Sequence, residues 1–160
     1  MDMSNYKGNA EFVKKVLDED DWHYDMQDAG KATVFTGGIG GFKGLYTSFR
    51  YLMIVGDDEV QSYATFPALA KEKRPQIAEF ITRANYGLKY GAFEMDWNDG
   101  EVRFHLTIPM SAILADRNHI PALLALPPQM LDRYSRGITE VLMGLKSPED
   151  AIKECEGDWQ

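Results

Sequence analysis

Apolar and polar residues follow one another in patterns that predict helices at both ends of the chain and strands between them. Near the start, apolar residues recur at helical spacing from Phe12 to Leu17, with Asn9 as the predicted N-cap and the acidic run 18–21 as the end of the helix. Within residues 22–66, short runs rich in aromatic and β-branched residues are separated by turn signals, which is typical of strands. The first part of the chain therefore predicts one helix followed by hairpins.

A second helix is predicted from Pro75, which suits a first helical turn, to Gly91 as the residue just after its end. Asn85 lies in the middle of this helix, where asparagine lowers helix propensity and competes for backbone hydrogen bonds. Two interpretations stay open for Asn85: a packing or hydrogen-bonding role, or an exposed position without one. The apolar stripe of the helix comprises Ile77, Phe80, Ile81, Ala84 and Leu88.

Residues 92–108 carry the clearest hairpin pattern, with Asp99-Gly100 as a two-residue turn between two alternating strands. This turn sets a register in which the apolar residues share one face and opposite charges pair on the other. The predicted apolar pairs are Trp97 with Val102, Met95 with Phe104 and Phe93 with Leu106, and the predicted charged pairs are Asp96 with Arg103 and Glu94 with His105.

The last part of the chain predicts two helices after a Pro-punctuated connection. One spans about 127–145, and a short helix at about 147–156 begins with Ser147 as N-cap and Pro148 as its first residue. No repeat or linker divides the 160 residues, so we expect a single domain, 1–160, with the short helix as its C-terminal tail. Hairpins between helices predict an α+β fold with a mainly antiparallel, twisted sheet and packed helices. The predicted core comprises Phe12, Val16, Phe49, Tyr51, Phe80, Ile81, Phe93, Met95, Trp97, Phe104 and Leu106.

Residues 36–44, TGGIGGFKG, contain five glycines and resemble a phosphate-binding loop at first sight. The P-loop pattern needs its lysine directly after a glycine, but Lys43 follows Phe42, and the dinucleotide pattern needs a glycine where Lys43 stands. Both patterns also lead into a helix N-terminus, whereas these glycines precede a predicted strand. We therefore predict a hairpin connection or an edge-strand twist that binds no nucleotide. The alternative is a lid over a small-molecule or enzyme site.

Charge and composition exclude several classes of partner. A net charge of −8 and a pI near 4.8 leave no clustered basic face for nucleic acid or for an anionic membrane. No targeting signal or long apolar run is visible, and the single cysteine, Cys155, cannot form an internal disulfide, so we expect a cytoplasmic protein. Carboxylates near Cys155 are expected to raise the pKa of its thiol and to lower its reactivity.

Catalytic and metal-binding chemistry is not indicated by any motif. His23, His105 and His119 lie far apart in the sequence, and none has a second ligand at a recognised metal spacing. The chain also lacks a nucleophile elbow. We therefore expect no cofactor, no metal and no enzymatic activity.

One face of the hairpin around Asp57-Asp58 is more apolar than a solvent-exposed face should be. The turn pairs Val55 with Val60, Met53 with Ser62, Tyr51 with Ala64 and Phe49 with Phe66 on the core face, which leaves Leu52, Ile54 and Tyr63 on the opposite face beside Arg50, Gln61 and Thr65. Three large apolar groups on that face indicate that something covers them. A terminal segment of the chain is one possibility, and we favour a second copy in a two-fold homodimer.

The run 81–108 resembles a signature of the YbjN-like family of bacterial sensory transduction regulators, at Asn85, Gly91, Phe93, Asp96 and Gly100, followed by Glu101. The ending SPEDAI, 147–152, is similar to that of some members. The resemblance implies the element order α-β-β-β-α-β-β-α, a fold like that of type III secretion chaperones, and a small protein that binds other proteins, often as a homodimer. It carries no catalytic residues. We therefore predict a non-catalytic regulator or chaperone-like adaptor that binds itself and a further, unidentified protein.

Overall fold

The computed structural model describes residues 4–157, and within this range it contains five α-helices and six strands. The elements in chain order are α1 (Tyr6–Glu19), β1 (Asp25–Asp28), β2 (Thr33–Gly40), β3 (Ser48–Val55), β4 (Glu59–Thr65), a 3-10 turn (Lys71–Lys73), α2 (Arg74–Asn85), β5 (Ala92–Met95), β6 (Val102–Pro109), α3 (Met110–Ala115), α4 (His119–Leu142) and α5 (Pro148–Glu156).

The six strands form one open sheet in the order β1-β2-β3-β4-β6-β5, and every neighbouring pair is antiparallel. The predicted α+β class and antiparallel sheet are thus confirmed. The described residues contain one more strand before α2 than the order implied by the family resemblance, and three helices after β6.

All the large helices pack on the same face of this sheet. Along β3 every second residue is buried, and these residues lie in two apolar clusters that also contain helix residues. One cluster joins the sheet to α2, α5 and the C-terminal half of α4, and the other joins it to α1, α3 and the N-terminal half of α4. The opposite face of the sheet is therefore left without a helix among residues 4–157.

Helix α3 and the first turns of α4, which begins at His119, occupy most of the predicted Pro-punctuated connection, and α4 then continues through Pro127 and Pro128. Proline at 127 has no N–H to donate to the carbonyl of Leu123, one helical turn earlier. The hydroxyl of Ser62, which is fully buried on β4, donates to this carbonyl at 2.6 Å. A serine on the sheet thus satisfies the acceptor that the proline leaves open, which allows one long helix to contact both clusters.

Two asparagines lie at other places in their helices than predicted. Helix α1 begins at Tyr6 rather than after Asn9, and Asn9 is a buried residue whose amide donates to the carbonyls of Gly56 and Asp57 at 2.9 and 3.0 Å. Asn85 is the last residue of α2 rather than a mid-helix residue, because the helix stops well before Gly91.

The β3–β4 hairpin has the predicted register, with Val55 opposite Val60, Met53 opposite Ser62 and Tyr51 opposite Ala64. The predicted β5–β6 register is wrong by two residues: Met95 pairs with Val102 and Phe93 with Phe104. A two-residue turn of the favoured type needs a positive φ at both central residues, and of the two only Gly100 has one, at +83°. The chain instead turns through the four residues 97–100.

The shift by two residues keeps the apolar residues of both strands on the core face but moves Trp97 out of the strand. Its side chain is 60% exposed, so its predicted place in the core is wrong. Phe12 and Met95 are only partly buried, and each packs against one of the two clusters. The other eight predicted core residues are buried: Val16, Phe49, Tyr51, Phe80, Ile81, Phe93, Phe104 and Leu106.

The glycine-rich stretch is partly a strand, because β2 includes Gly37, Gly38 and Gly40, which pair with β3. Strand β1 pairs with β2 only as far as Thr36, so beyond this point β2 is an edge, as one of the predicted alternatives requires. A Cβ at Gly37 would lie 2.7 Å from the ring of Tyr51. This glycine therefore allows a large aromatic side chain to lie directly against the strand.

The C-terminal helix is confirmed as α5, with Pro148 in its first turn and Ser147 as N-cap, whose hydroxyl accepts from the N–H of Asp150 at 3.2 Å. Cys155 is partly buried near the end of α5, and burial is the main cause that raises the pKa of its thiol. The predicted direction of this shift is correct, but nearby carboxylates contribute less than burial does.

Candidate functional site

The residues of the sheet that point away from the helices form a surface that we call the open sheet face. Its central row runs across the strands from Thr36 through Leu52 and Tyr63 to His105, and the next row runs from Val34 through Ile54 and Gln61 to Thr107. The structure thus brings together all three predicted interface residues, Leu52, Ile54 and Tyr63, as neighbours on β3 and β4.

Tyr63 is the most buried of the three, with only 8% of its surface exposed. The ring of His105 stacks on it with 4.4 Å between the centroids, and the guanidinium carbon of Arg103 lies 4.1 Å from its centroid. Its hydroxyl donates to the side chain of Gln61 at 2.8 Å, and burial raises the pKa of this hydroxyl. Tyr63 is therefore covered largely by its own chain, whereas Leu52 and Ile54 stay partly exposed.

The β5–β6 part of the open sheet face is a charged network centred on Glu94. Arg103 donates through Nε to Glu94 at 2.5 Å, and Nδ1 of His105 lies 3.6 Å from the same carboxylate. Nε2 of His105 is 2.7 Å from the hydroxyl of Thr107. Glu94 thus contacts His105 as predicted. Arg103, however, pairs with Glu94 and not with Asp96 as predicted. These contacts order the polar side chains beside the apolar centre.

The five motif residues support the β5–β6 hairpin through its backbone. The side-chain amide of Asn85 donates to the carbonyl of Phe93 at 2.9 Å and accepts from its N–H at 2.7 Å. Gly91 has φ +69°, and a Cβ there would lie 2.5 Å from the carbonyl oxygen of His105. The N–H of Gly100 donates to the carbonyl of Asp96 at 2.8 Å and so closes the loop. Of the two interpretations for Asn85, the structure thus supports a hydrogen-bonding role.

The segment between α2 and β5 forms a groove that the sequence did not reveal. Tyr86 and Tyr90 are 91% and 71% exposed, and with Leu88 they line a cavity of about 670 Å³ against Leu126 and Met130 of α4. The sequence feature that could have indicated this groove is the run YGLKYG, in which each tyrosine is followed by a glycine. It was missed because the apolar spacing of Leu88 favoured continuing the helix through this segment.

No group of three or more His, Cys, Asp or Glu side chains among residues 4–157 is arranged to hold a metal ion. None of the helices in this same part of the chain is long and apolar enough to cross a membrane.

The model of the YbjN family, whose description reads "Putative bacterial sensory transduction regulator", matches residues 9–159, which is nearly the whole chain. No curated protein and no solved structure matches the chain significantly.

Proposed function

The chain belongs to the YbjN family, and we propose that it is a non-catalytic regulator that acts through protein–protein contacts and functions as a homodimer. The family is described as a regulator rather than as an enzyme, which supports the first part of this proposal. The second part depends on the geometry of the open sheet face.

The main observation that supports the homodimer is the position of Leu52 and Ile54. Both side chains stay partly exposed at the centre of a face that no described helix covers. Exposed apolar patches on monomeric proteins are usually small, and a two-fold interface would cover this centre with the same residues of a second copy.

Charges around this centre fit a two-fold interface. Arg50 lies two residues from Leu52 on β3, and Asp25 lies opposite Thr36 on β1, on the same face. Both are exposed, and neither forms an ion pair among residues 4–157. A self-complementary interface needs both signs of charge beside its apolar centre, and Arg50 and Asp25 supply them.

Light scattering after size exclusion tests this proposal. We expect a mass about twice the 18.1 kDa of the chain, and a monomer for the double variant Leu52→Glu with Ile54→Glu, because two carboxylates would be buried without partners in the interface. The matched control is Leu114→Glu with Leu145→Glu, at two exposed leucines elsewhere, which should leave the dimer intact. A monomeric wild type at tens of micromolar, or a dimer that survives the first double variant, would contradict the homodimer.

A second candidate function, small-molecule binding, is favoured by one carboxylate. Oδ1 of Asp132 on α4 is buried without a hydrogen-bond partner, and a Cβ at Gly44 would lie 2.5 Å from it. The connection from β2 to β3 therefore lies over a buried acceptor, beside a cavity of about 560 Å³ that Ser135 and Thr139 also line. A buried acceptor of this kind calls for a donor, and an ammonium or amide group would supply one.

A thermal-shift panel of amines, amino acids and phosphorylated metabolites tests this second candidate. Stabilisation by one compound that is lost in Asp132→Asn, but kept in the exposed control Asp58→Asn, would support a ligand site beneath this connection. A panel without any stabilising compound would leave the carboxylate without a ligand role and remove this candidate.

A further inference from the structure

The groove between α2 and α4 has an apolar floor and an aromatic rim. Leu88, Leu126 and Met130 line it together with Tyr134, which is 1% exposed. The hydroxyl of Tyr134 donates to Glu156 at 2.8 Å, and burial and this hydrogen bond raise its pKa. The floor is thus fixed by the packed core beneath it rather than by flexible surface side chains.

The rim is formed by the two tyrosines with the largest exposed fractions among the described large hydrophobic residues, Tyr86 and Tyr90. Helix α2 ends just before Tyr86, and Gly87, with φ +98°, lets the chain turn there. Exposed tyrosines contribute large contact area, and their hydroxyl groups can bond to a peptide backbone. For this reason such residues concentrate in the hot spots of protein interfaces.

The exposed rim of the groove carries a cation, although the protein as a whole is acidic. Lys89 lies at this rim, is exposed, and forms no ion pair among residues 4–157. The whole chain carries a net charge of −8. An unpaired cation at a docking surface attracts acidic segments and disfavours basic ones.

From these observations we propose that the groove docks an acidic peptide segment of a partner protein, with one aromatic or long aliphatic side chain inserted between Tyr86 and Tyr90. The carboxylates of the segment pair with Lys89 at the rim. This inference goes beyond the proposed homodimer, because the groove includes α4, which packs on the opposite face of the sheet from Leu52 and Ile54. The two surfaces allow one protein to bind a second copy and a partner at the same time.

Selection from a random dodecapeptide library displayed on phage tests the groove without a known partner. The wild-type protein is the positive target, and the variant Tyr86→Ala with Tyr90→Ala is the subtraction target. These tyrosines are exposed, so the variant should keep its fold, which circular dichroism checks. We expect enriched peptides in which Asp or Glu flanks Trp, Phe or Leu.

A synthetic peptide of the enriched sequence then gives affinities by fluorescence anisotropy. We expect Tyr86→Ala to weaken its binding at least about tenfold, as for an interface hot spot. Lys89→Glu should also weaken it and reduce its salt dependence, while Lys31→Glu, a matched exposed lysine in the β1–β2 turn, should not. The double variant Leu52→Glu with Ile54→Glu should keep the wild-type affinity.

Four results would overturn the inference: no enrichment over the subtraction target, an enriched sequence without acids, a peptide whose affinity Tyr86→Ala leaves unchanged, or loss of the dimer in the tyrosine double variant. The last result would assign the groove to a contact between copies. The peptide affinity and the mass of the protein are separate readouts, so failure of the groove and failure of the homodimer can be distinguished.

Discussion

The β3–β4 and β5–β6 hairpins build adjacent parts of one sheet, yet they are held in different ways. The inner hairpin turns through two residues, with the N–H of Gly56 donating to the carbonyl of Glu59 at 3.0 Å. Its turn is fixed from outside, because the buried Asn9 on α1 donates to the carbonyls of Gly56 and Asp57. A helix that is distant in sequence thus holds a turn between two strands that both have neighbours in the sheet.

The outer hairpin is fixed by its own loop and by the helix that precedes it. The side chains of Asp96 and Asp99 accept from the N–H groups of Asn98 and Glu101, each at 2.8 Å. Asn85 occupies both backbone groups of Phe93 on β5, the outermost strand at this end of the sheet. An edge strand offers backbone groups to other chains, and this amide blocks two of them. The comparison shows that side-chain-to-backbone bonds hold both hairpins, from a residue distant in sequence for the inner one and from residues close in sequence for the outer one.

The largest expected effect is that of Asn85→Ala, which leaves the N–H and carbonyl of the buried Phe93 without partners. We expect a loss of about 2–4 kcal/mol in the free energy of unfolding, from two unsatisfied backbone groups. Urea denaturation measures this loss, and hydrogen exchange should show faster exchange across 92–108 than in the wild type. Asn98→Ala is the matched control, because only the backbone of Asn98 makes hydrogen bonds. An equal loss in the control would disprove the special role of Asn85.

A smaller effect is expected for Asn9→Ala, about 1–3 kcal/mol, because the carbonyls that it contacts lie in a turn that water can partly reach. Hydrogen exchange should increase around 56–59 and stay unchanged in 92–108. If Asn9→Ala also loosened 92–108, the two hairpins would not be held independently, and the comparison between them would fail.

The smallest effect is expected for Trp97→Ala. The side chain is largely exposed in the loop, so we expect a change below about 0.5 kcal/mol in the free energy of unfolding. Met95→Ala is the useful contrast, since Met95 packs against the core cluster and should cost more. A loss above 2 kcal/mol for Trp97→Ala would instead favour the register in which Trp97 faces Val102.

The same contrast explains how far the sequence predicts this fold. In the β3–β4 hairpin the alternation of apolar residues and the two-residue turn agree, so both the face and the register are correct. In the β5–β6 hairpin the alternation fixes only the face, because a shift by two residues preserves it. The register depends on hydrogen bonds that the side chains of Asp96 and Asp99 accept within a longer loop, and the Asp99-Gly100 pair alone does not reveal them.

The sequence predicts the candidate site only in part, for a similar reason. Alternation places Leu52, Ile54 and Tyr63 on one face, and this stays a correct description of where they lie. It does not show that Arg103 and His105 cover Tyr63, because β4 pairs with β6, which is not its neighbour in sequence. The groove at Tyr86 and Tyr90 was missed for a local reason, since the predicted helix continued past the residue at which α2 ends.

The most direct test of the homodimer is an isotope-filtered NOE experiment on a sample that mixes carbon-13-labelled and unlabelled copies. Only protons on different copies give signals in this experiment. We expect intermolecular contacts that involve the methyl groups of Val34, Leu52 and Ile54, because these residues form the apolar centre of the open sheet face. Intermolecular contacts from other surfaces only, or no intermolecular contacts at all, would contradict the account.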